Sequence, residues 1–256
     1  TDGAQFSRDG DEQERIARAE YRWKAFGDDL QVSAEYAYNK LDSLSQLSFL
    51  DANGVFQPVF LPGADVTVAE DRYEVMGSYG HEISPALQLQ VNLGGEYSTI
   101  EQIGGGGLTR SFKRPKGLVS LAWKQSPKVD WNFKLERRVG QLDFYDFLAS
   151  VNLQDNQSNA GNPDLVPPQS WELETEVARD LGSWGKTRLK AYYHRIQDIV
   201  DVIPIGEDGQ GIANLPNATR FGFESTSTLL FDPLGWRGAK LDLTAGFEKT
   251  NVRDPL

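Results

Sequence analysis

The sequence predicts an all-β protein, an antiparallel transmembrane β-barrel meander of about ten strands. Three observations support this prediction: apolar and polar residues alternate, short and long links alternate, and aromatic residues collect near both ends of the strands. In residues 87–98, LQLQVNLGGEYS, four apolar residues share one face of a strand: Leu87, Leu89, Val91 and Leu93. We expect this face to contact lipid and the polar residues between to line a water-filled lumen.

Ten segments carry the alternation. They are residues 16–24, 30–38, 72–80, 87–98, 117–124, 129–137, 171–179, 187–195, 220–231 and 240–249. Most are about nine to eleven residues long, which is the length that a tilted barrel strand needs to cross a bilayer. Strands of soluble proteins usually have about five or six residues. The sequence contains no amphipathic helix and no apolar run of about eighteen residues, so it predicts no helical membrane span.

The links between these segments alternate between short and long without exception. The short links are rich in turn residues and read FGDD, HEISPA, QSPK, DLGSWGK and DPLGWRG. The long links cover about residues 39–71, 98–116, 138–170 and 196–219. In an antiparallel meander this order places all short turns at one end and all long loops at the other, as in outer-membrane barrels with short periplasmic turns.

Aromatic residues form two groups along the predicted strands. Near the long links lie Tyr36, Tyr38, Tyr73, Tyr97, Trp171, Tyr193, Phe221 and Phe247, and near the short links lie Trp23, Tyr79, Trp123, Trp131 and Phe231. Two such girdles are typical of the interfaces of a membrane-spanning barrel. Because aromatic residues favour strands in any all-β protein, a soluble, secreted β-rich binding protein stays open as a second interpretation.

Composition excludes several function classes. The formal net charge of −11 and the pI of about 4.7 argue against nucleic acid as a partner, because no basic patch is present to bind phosphates. The chain has no cysteine, so it has no disulfides, thiolate metal sites or cysteine nucleophiles. Its two histidines, His81 and His194, stand alone in sequence, and we expect surface or lumen residues rather than metal ligands. No catalytic constellation stands out, so we predict neither an enzyme nor a cofactor.

The ten predicted strands do not complete a conventional barrel. Residues 1–11 precede a strand that starts at the long-loop end, and residues 251–256 follow a strand that returns to it. Both ends are therefore expected at the outer face, whereas bacterial barrels generally keep both in the periplasm. We expect an incomplete arc of a larger barrel. Its two unpaired edge strands would be costly in lipid, so we also expect that the arc alone does not insert stably.

Three segments resemble TonB-dependent outer-membrane receptors. GNPDLVPPQSWELETEV (161–177) is similar to their loop-to-strand segment, apart from Pro168-Gln169 where the family commonly has Pro-Glu. AYYHRIQDIVDVI (191–203) and NLPNATRFGFE (214–224) are similar to the strand entries that follow. The resemblance covers about residues 161–256, and residues 1–160 are compatible in architecture only. It implies a barrel of about twenty-two strands, of which 1–256 is a part, with the N-terminal plug domain and the terminal strands outside this chain.

The resemblance also implies a function. Such receptors lie in the bacterial outer membrane and import scarce, bulky nutrients such as ferric siderophores, cobalamin or oligosaccharides, energised by TonB. The implied partners are membrane lipid and lipopolysaccharide, the receptor's own plug domain, TonB through that plug, and the imported ligand. A passive porin-like channel is the alternative within the outer membrane. It would lack a plug and carry a constricting loop with opposed charge clusters.

The long link over residues 141–159 carries the ligand-binding candidates. Asp143, Phe144, Tyr145 and Asp146 combine rings, which stack on sugars or aromatic siderophores, with carboxylates, which bind hydroxyl groups. A loop packed on itself is the interpretation that we favour. Arg138 is a candidate contact to an anion, although pairing of Arg137 and Arg138 with lumen carboxylates is favoured. The motif Gly161, Asn162, Pro163, Asp164 and Leu165 is predicted to be structural, because prolines end pairing and Asn or Asp closes turns.

Overall fold

Ten long strands and three short ones form a single sheet. The computed structural model describes residues 3–61, 64–104, 107–148, 150–152, 157–205 and 209–253. The long strands are β1 (Ala4–Ala25), β2 (Asp28–Leu50), β4 (Asp65–Ser84), β5 (Leu87–Ile103), β6 (Leu108–Ser126), β7 (Val129–Val139), β10 (Gln169–Asp180), β11 (Gly185–Ile205), β12 (Gly209–Leu230) and β13 (Lys240–Val252). The short strands are β3 (Phe56–Val59), β8 (Ser150–Asn152) and β9 (Gln157–Ala160).

The long strands pair in chain order, each antiparallel to the next. Strand β3 adds to β2, and β8 and β9 pair with each other, with β9 parallel to the start of β12. Within the described residues, β1 pairs only with β2 and β13 only with β12, so both are edge strands. The predicted antiparallel meander, an open arc, is therefore confirmed.

Tight turns join the strands at one end of the sheet, which we call the short-turn end. Phe26 and Gly27 connect β1 to β2 with φ of 57° and 90°, the left-handed pair that a two-residue hairpin requires. The remaining short turns lie at 85–86, 127–128, 181–184 and 231–239. The sorting of short turns and long links to opposite ends is thus confirmed.

The strands extend much further than the alternation predicted. They range from 11 residues in β7 to 23 in β2, and the extra length lies at the opposite, long-link end. The expected loop over 39–71 is largely strand, because β2 continues to Leu50 and β4 begins at Asp65. Antiparallel neighbours satisfy each other's backbone groups wherever both continue. Pairing therefore persists where the apolar alternation has stopped.

The two faces of the sheet differ in chemistry. One, the apolar face, exposes large side chains such as Leu93 at 62%, Leu173 at 51% and Phe223 at 53%. The register aligns Tyr36, Tyr73 and Tyr97 in one row toward the long-link end, and sets Trp123 opposite Trp131 near the short turns. These rows form parts of the two expected aromatic girdles. Among the residues that the structure describes, no helix has the length and apolar character needed to cross a membrane.

The buried core lies at the long-link end, on the other, polar face. There Leu41, Val66, Val68, Ile100 and Phe112 project from β2, β4, β5 and β6. A chain segment that we call the crosspiece, residues 140–148 and 161–168, covers them. Its contribution to the core consists of Phe147, Leu148 and Leu165.

The crosspiece shows that the sheet curls around its polar face. Tyr145 contacts Arg8 on β1, and Asn162 contacts Ile212 on β12. Seven strands lie between β1 and β12 in the sheet, which would separate them by about 38 Å if the sheet were flat. Yet Phe147, two residues after Tyr145, touches Gly161. The two strands therefore approach the same small structure, and the polar face is concave.

Candidate functional site: the polar face and its crosspiece

The first half of the crosspiece is a short 3-10 turn over Phe144–Phe147. Asp143 caps it, since its carboxylate accepts a hydrogen bond of 2.9 Å from the Tyr145 backbone N–H. Phe147 and Leu148 then enter the core with 5% and 3% exposure. This part of the long link packs on the sheet as well as on itself, which agrees with the packed-loop interpretation.

The second half contains the GNPDL motif, and Asn162 organises it. Its side-chain oxygen accepts from the Asp164 N–H at 2.8 Å, and its side-chain nitrogen donates to the Ile212 carbonyl at 2.8 Å. Its backbone N–H donates to the Asp146 carbonyl at 3.0 Å, which joins the two halves of the crosspiece. Leu165 is 1% exposed.

Two further side chains fasten this motif to the sheet. Arg110 on β6 donates to the backbone carbonyls of Asp164 and Leu165. Asn214 on β12 accepts from the Val166 N–H at 2.8 Å and donates to its carbonyl at 2.8 Å, and it also donates to the Asp198 carbonyl at 2.7 Å. Pro163 lies beside Phe147 and Phe112. These contacts attach the segment from Gly161 to Leu165 to the sheet.

A cleft of about 440 Å³ opens between the crosspiece and the first two strands. Its acidic lining residues are Glu12, Glu14, Glu70 and Asp143, and its other lining residues include Asn39, Lys40, Phe144 and Tyr145. Its volume falls in the usual range for small-molecule sites. The cleft therefore combines carboxylates, amides and rings at the long-link end of the concave face.

The pKa values of Tyr145 and Asp146 are both raised in this region. A hydrogen bond to Glu12, followed by burial, raises the pKa of Tyr145. Burial, followed by the charge of Asp143, raises the pKa of Asp146. Tyr145 stays 38% exposed beneath the Arg8 guanidinium, which lies 5.7 Å from the ring centroid. A cavity-facing ring with an acidic partner is suited to bind hydroxyl groups.

The structure thus brings together only some of the sequence candidates. Asp143, Phe144 and Tyr145 line the cleft, whereas Asp146 and Arg138 are not among its lining residues. Arg138 is an exposed residue near the end of β7, paired with Ser170 on β10.

The expectation that Arg137 pairs with a lumen carboxylate is wrong. The even–odd alternation places Arg137 on the same face as Leu135, which is the apolar face. There it donates to the Pro115 carbonyl at 3.2 Å and to Gln169 at 2.6 Å, and its guanidinium lies 5.4 Å from the Trp171 ring centroid. The guanidinium is satisfied by neutral groups and an aromatic ring.

Ion pairs cover the concave face between the crosspiece and the short turns. Lys116 on β6 lies 2.5 Å from Glu74 and 2.6 Å from Glu96, and Arg72 lies 3.1 Å from Glu35. The Glu96 side chain is 7% exposed. Each of these charges therefore faces an opposite charge on another strand of the sheet, as buried or half-buried charges require.

A second set of charges lies on the same face, on β7, β10 and β11. Glu174 forms ion pairs with Lys190 at 3.4 Å and Lys134 at 3.9 Å, and His194 Nε2 lies 3.6 Å from it. Glu172 accepts from the Ser170 hydroxyl at 2.7 Å. The alternation alone could place these residues on one face, but only the register shows that they meet.

Comparison with known proteins identifies the fold. No protein-family model matches the chain, and no curated protein matches it. Among solved structures, the unliganded ferric citrate transporter FecA superimposes over 98% of this chain with a TM-score of 0.70 and 11% identity. The chain has the fold of an arc of a TonB-dependent receptor barrel.

Two further solved structures agree with this assignment. The copper transporter OprC covers 94% of this chain with a TM-score of 0.68 and 12% identity. The siderophore receptor PiuA from Acinetobacter baumannii covers 96% with a TM-score of 0.62 and 13% identity. The chain spans only 37% of FecA, 38% of OprC and 39% of PiuA. At these identities the likeness concerns the receptor-barrel fold.

Proposed function

We propose that this chain is part of the wall, outer loops and lumen lining of a bacterial outer-membrane receptor. The receptor would import a scarce, bulky nutrient, energised by TonB, and would not be an enzyme. The observation that carries this proposal is that apolar side chains are exposed and charged ones are buried, the reverse of a soluble protein. Leu93 is 62% exposed, while the side chains of Lys116 and Glu96 are 18% and 7% exposed. Such a sheet suits lipid outside and water inside.

The partners follow from the two faces. Lipid and lipopolysaccharide would contact the apolar face and its aromatic rows, and the ion-paired concave face would surround a plug domain encoded outside this chain. TonB would act through that plug. Residues 1–256 would then form one part of a barrel of about twenty-two strands.

The ligand candidates are Asp143, Phe144 and Tyr145 in the cleft, with Asp146 and Arg138 as outlying candidates. A ferric siderophore, cobalamin or an oligosaccharide all remain within the proposal. The names of the structural neighbours, which include a ferric citrate transporter and a siderophore receptor, support uptake of a chelated metal.

A passive porin-like channel is the second candidate, and the crosspiece favours it in one respect, because it reaches over the concave face as a constricting loop would. Its contacts argue for the receptor instead. Phe147, Leu148 and Leu165 hold it to an apolar patch, whereas a porin constriction would oppose clusters of charge across an open pore. The two candidates differ in steady conductance, since a plugged barrel conducts little.

Uptake assays on the complete protein that carries this chain test the proposal. Cells that lack its gene should grow poorly when one nutrient is scarce, and complementation should require both the gene and tonB. Tyr145→Ala should weaken ligand binding by about tenfold, whereas Tyr21→Ala on the apolar face should not. Uptake that persists without tonB, together with a large steady conductance in planar bilayers, would establish the channel and reject the receptor.

A further inference from the structure

His194 meets two carboxylates on the concave face. The antiparallel register of β10 and β11 sets His194 directly opposite Glu172, and Glu174 lies two residues further along β10. Because side chains of a strand alternate between faces, all three project to the same side. Each is half-buried, and the position is separate from the cleft at the crosspiece.

The three side chains are close enough to share one ion. One imidazole nitrogen and one oxygen from each carboxylate lie within 4.8 Å of one another, and His194 Nε2 is 3.6 Å from Glu174 Oε1. Ligand atoms around a tetrahedral zinc ion are roughly 3.4 Å apart when the bonds are about 2.1 Å. Small side-chain rotations would therefore complete a three-ligand site.

The Nε2 atom of His194 is buried and makes no hydrogen bond among the described residues, although it lies 3.6 Å from Glu174 Oε1. The other histidine differs, since His81 Nδ1 lies 2.6 Å from Asp28. Buried polar atoms in native proteins nearly always have a partner. A metal ion bound between this nitrogen and the carboxylate oxygen 3.6 Å away would supply the missing partner.

The surrounding charges fix which oxygen is available. Lys190 and Lys134 contact Glu174 Oε2, at 3.4 Å and 3.9 Å, so that Oε1 is the oxygen that faces His194. Two further charged groups lie beside the cluster. Glu136 lies across from Glu172 and pairs with Lys134 at 2.7 Å, and Arg220 lies across from His194 and 3.8 Å from Glu248. Among the described residues, Glu172 accepts the Ser170 hydroxyl.

We propose that Glu172, Glu174 and His194 bind a divalent first-row transition-metal ion on the concave face of the sheet. Two carboxylate oxygens and one imidazole nitrogen suit zinc-like ions, and the donor set contains no sulfur that would select Cu(I). Three protein ligands leave a coordination position open to water or to another ligand. The inference goes beyond the proposed function and does not rest on it, because it requires only the strand register.

Metal titration of the complete, metal-free protein in detergent tests the site. Zn²⁺ binding by calorimetry should show a saturable site, and Co²⁺ should give visible absorption bands of a protein-bound ion. His194→Asn should lower Zn²⁺ affinity by at least about tenfold and remove the Co²⁺ bands. His81→Asn is the matched control and should bind as the wild type does.

Two carboxylate variants test the site without relying on His194 alone. Glu174→Gln should weaken binding as His194→Asn does, while Glu176→Gln, one step further along the same face beside Arg188, should not. Each variant must show the heat-dependent shift of a folded barrel on a gel. Wild-type affinity in both His194→Asn and Glu174→Gln, or no saturable binding in the wild type, overturns the site. Because binding needs no transport, a failed uptake assay leaves this result untouched.

Discussion

Single residues hold the two halves of the crosspiece together, and Gly161 is the clearest case. A Cβ at this position would overlap the Phe147 carbonyl group and approach the Leu148 backbone. The contacts are to backbone atoms, which cannot rotate away as a flexible side chain can. Gly161→Ala should therefore destabilise the crosspiece by about 1–3 kcal/mol, seen as faster proteolysis near residues 140–148 in the complete protein.

Gly77 provides the matched control for this substitution. An added Cβ there would meet only the Leu93 carbonyl at 3.7 Å, an ordinary contact. Gly77→Ala should leave the proteolysis rate unchanged. Equal rates for Gly161→Ala and the wild type would show that the crosspiece tolerates the extra atom and that the close approach is not a constraint.

The ionisation of Asp146 gives the crosspiece a predictable pH dependence. Burial raises its pKa above the usual value of about 3.9. Between the usual pKa and the raised one, the folded state binds more protons than the unfolded state, so stability falls as pH rises through this window. Asp146→Asn mimics the protonated form. It should slow hydrogen exchange of residues 140–148 several-fold at pH 7, and the difference should vanish below about pH 4.

The pKa of Asp51 is shifted in the opposite direction, so its effect on stability has the opposite pH dependence. The Val55 backbone N–H, then the Gln57 side chain, lower the pKa of Asp51. Its stabilising effect is therefore present above the usual pKa and is lost as pH falls through the lowered one. Asp51→Asn should speed local exchange around 51–57 at pH 7. If both variants change exchange in the same direction at pH 7, one of the two assignments is wrong.

The concave wall depends on ion pairs that link strands, and Lys116 is central among them. It joins Glu74 on β4 and Glu96 on β5 at 2.5 Å and 2.6 Å. Lys116→Met would leave the Glu96 carboxylate, with 7% exposure, with Arg72 at 3.8 Å as its remaining ion pair among the described residues. Removing one partner of a buried pair is strongly destabilising, and partial exposure moderates this, so we expect a loss of about 2 kcal/mol.

The exposed pair of Lys24 and Asp29 is the control for Lys116→Met. Its side chains are 79% and 73% exposed at a distance of 3.2 Å. Lys24→Met should change the free energy of unfolding by less than about 1 kcal/mol. Guanidinium unfolding followed by tryptophan fluorescence measures both variants. A loss for Lys116→Met no larger than for Lys24→Met would mean that water screens the concave wall as it does an open surface.

The sequence predicted the strands where alternation and turns agree. Each of the ten predicted segments lies in a long strand, apart from Phe231 just beyond β12, and the short links at Phe26-Gly27 and its counterparts are the turns expected. Alternation did not predict the extensions to Leu50 or from Asp65, because backbone pairing continues there without an apolar face. The loop over 141–159 was expected to pack on itself, but the docking of the crosspiece on Leu41 and Val68 depends on contacts that no local pattern encodes.

The His194 cluster shows a prediction that the sequence allowed and that we did not make. The turn after Asp180 pairs Asp180 with Lys186, and counting eight residues outward on each strand pairs Glu172 with His194. Only the chain length of the turn was needed. The missing partner of His194 Nε2, however, depends on side-chain conformations, which a pattern of residue types does not determine.

The molecule as a whole is an open, curved sheet, and the crosspiece connects its distant strands. The crosspiece binds β1 through Tyr145, the middle strands through Phe147, and β12 through Asn162. These contacts lie at the long-link end only. At the short-turn end, the described residues join neighbouring strands through turns, backbone pairing and side-chain bonds such as that from the Tyr79 hydroxyl to Asp28.

The open edges lead to a prediction for the isolated 256-residue chain. Strands β1 and β13 each pair on one side only within the described residues, and β13 is exposed along all of its 13 residues. In lipid, each unsatisfied backbone group costs several kcal/mol. Expressed alone, the chain should therefore aggregate, whereas the complete protein should give a membrane-protected species whose gel mobility changes on heating. A heat-modifiable, protease-protected species from the isolated chain would show that its edges pair with each other or with a second copy.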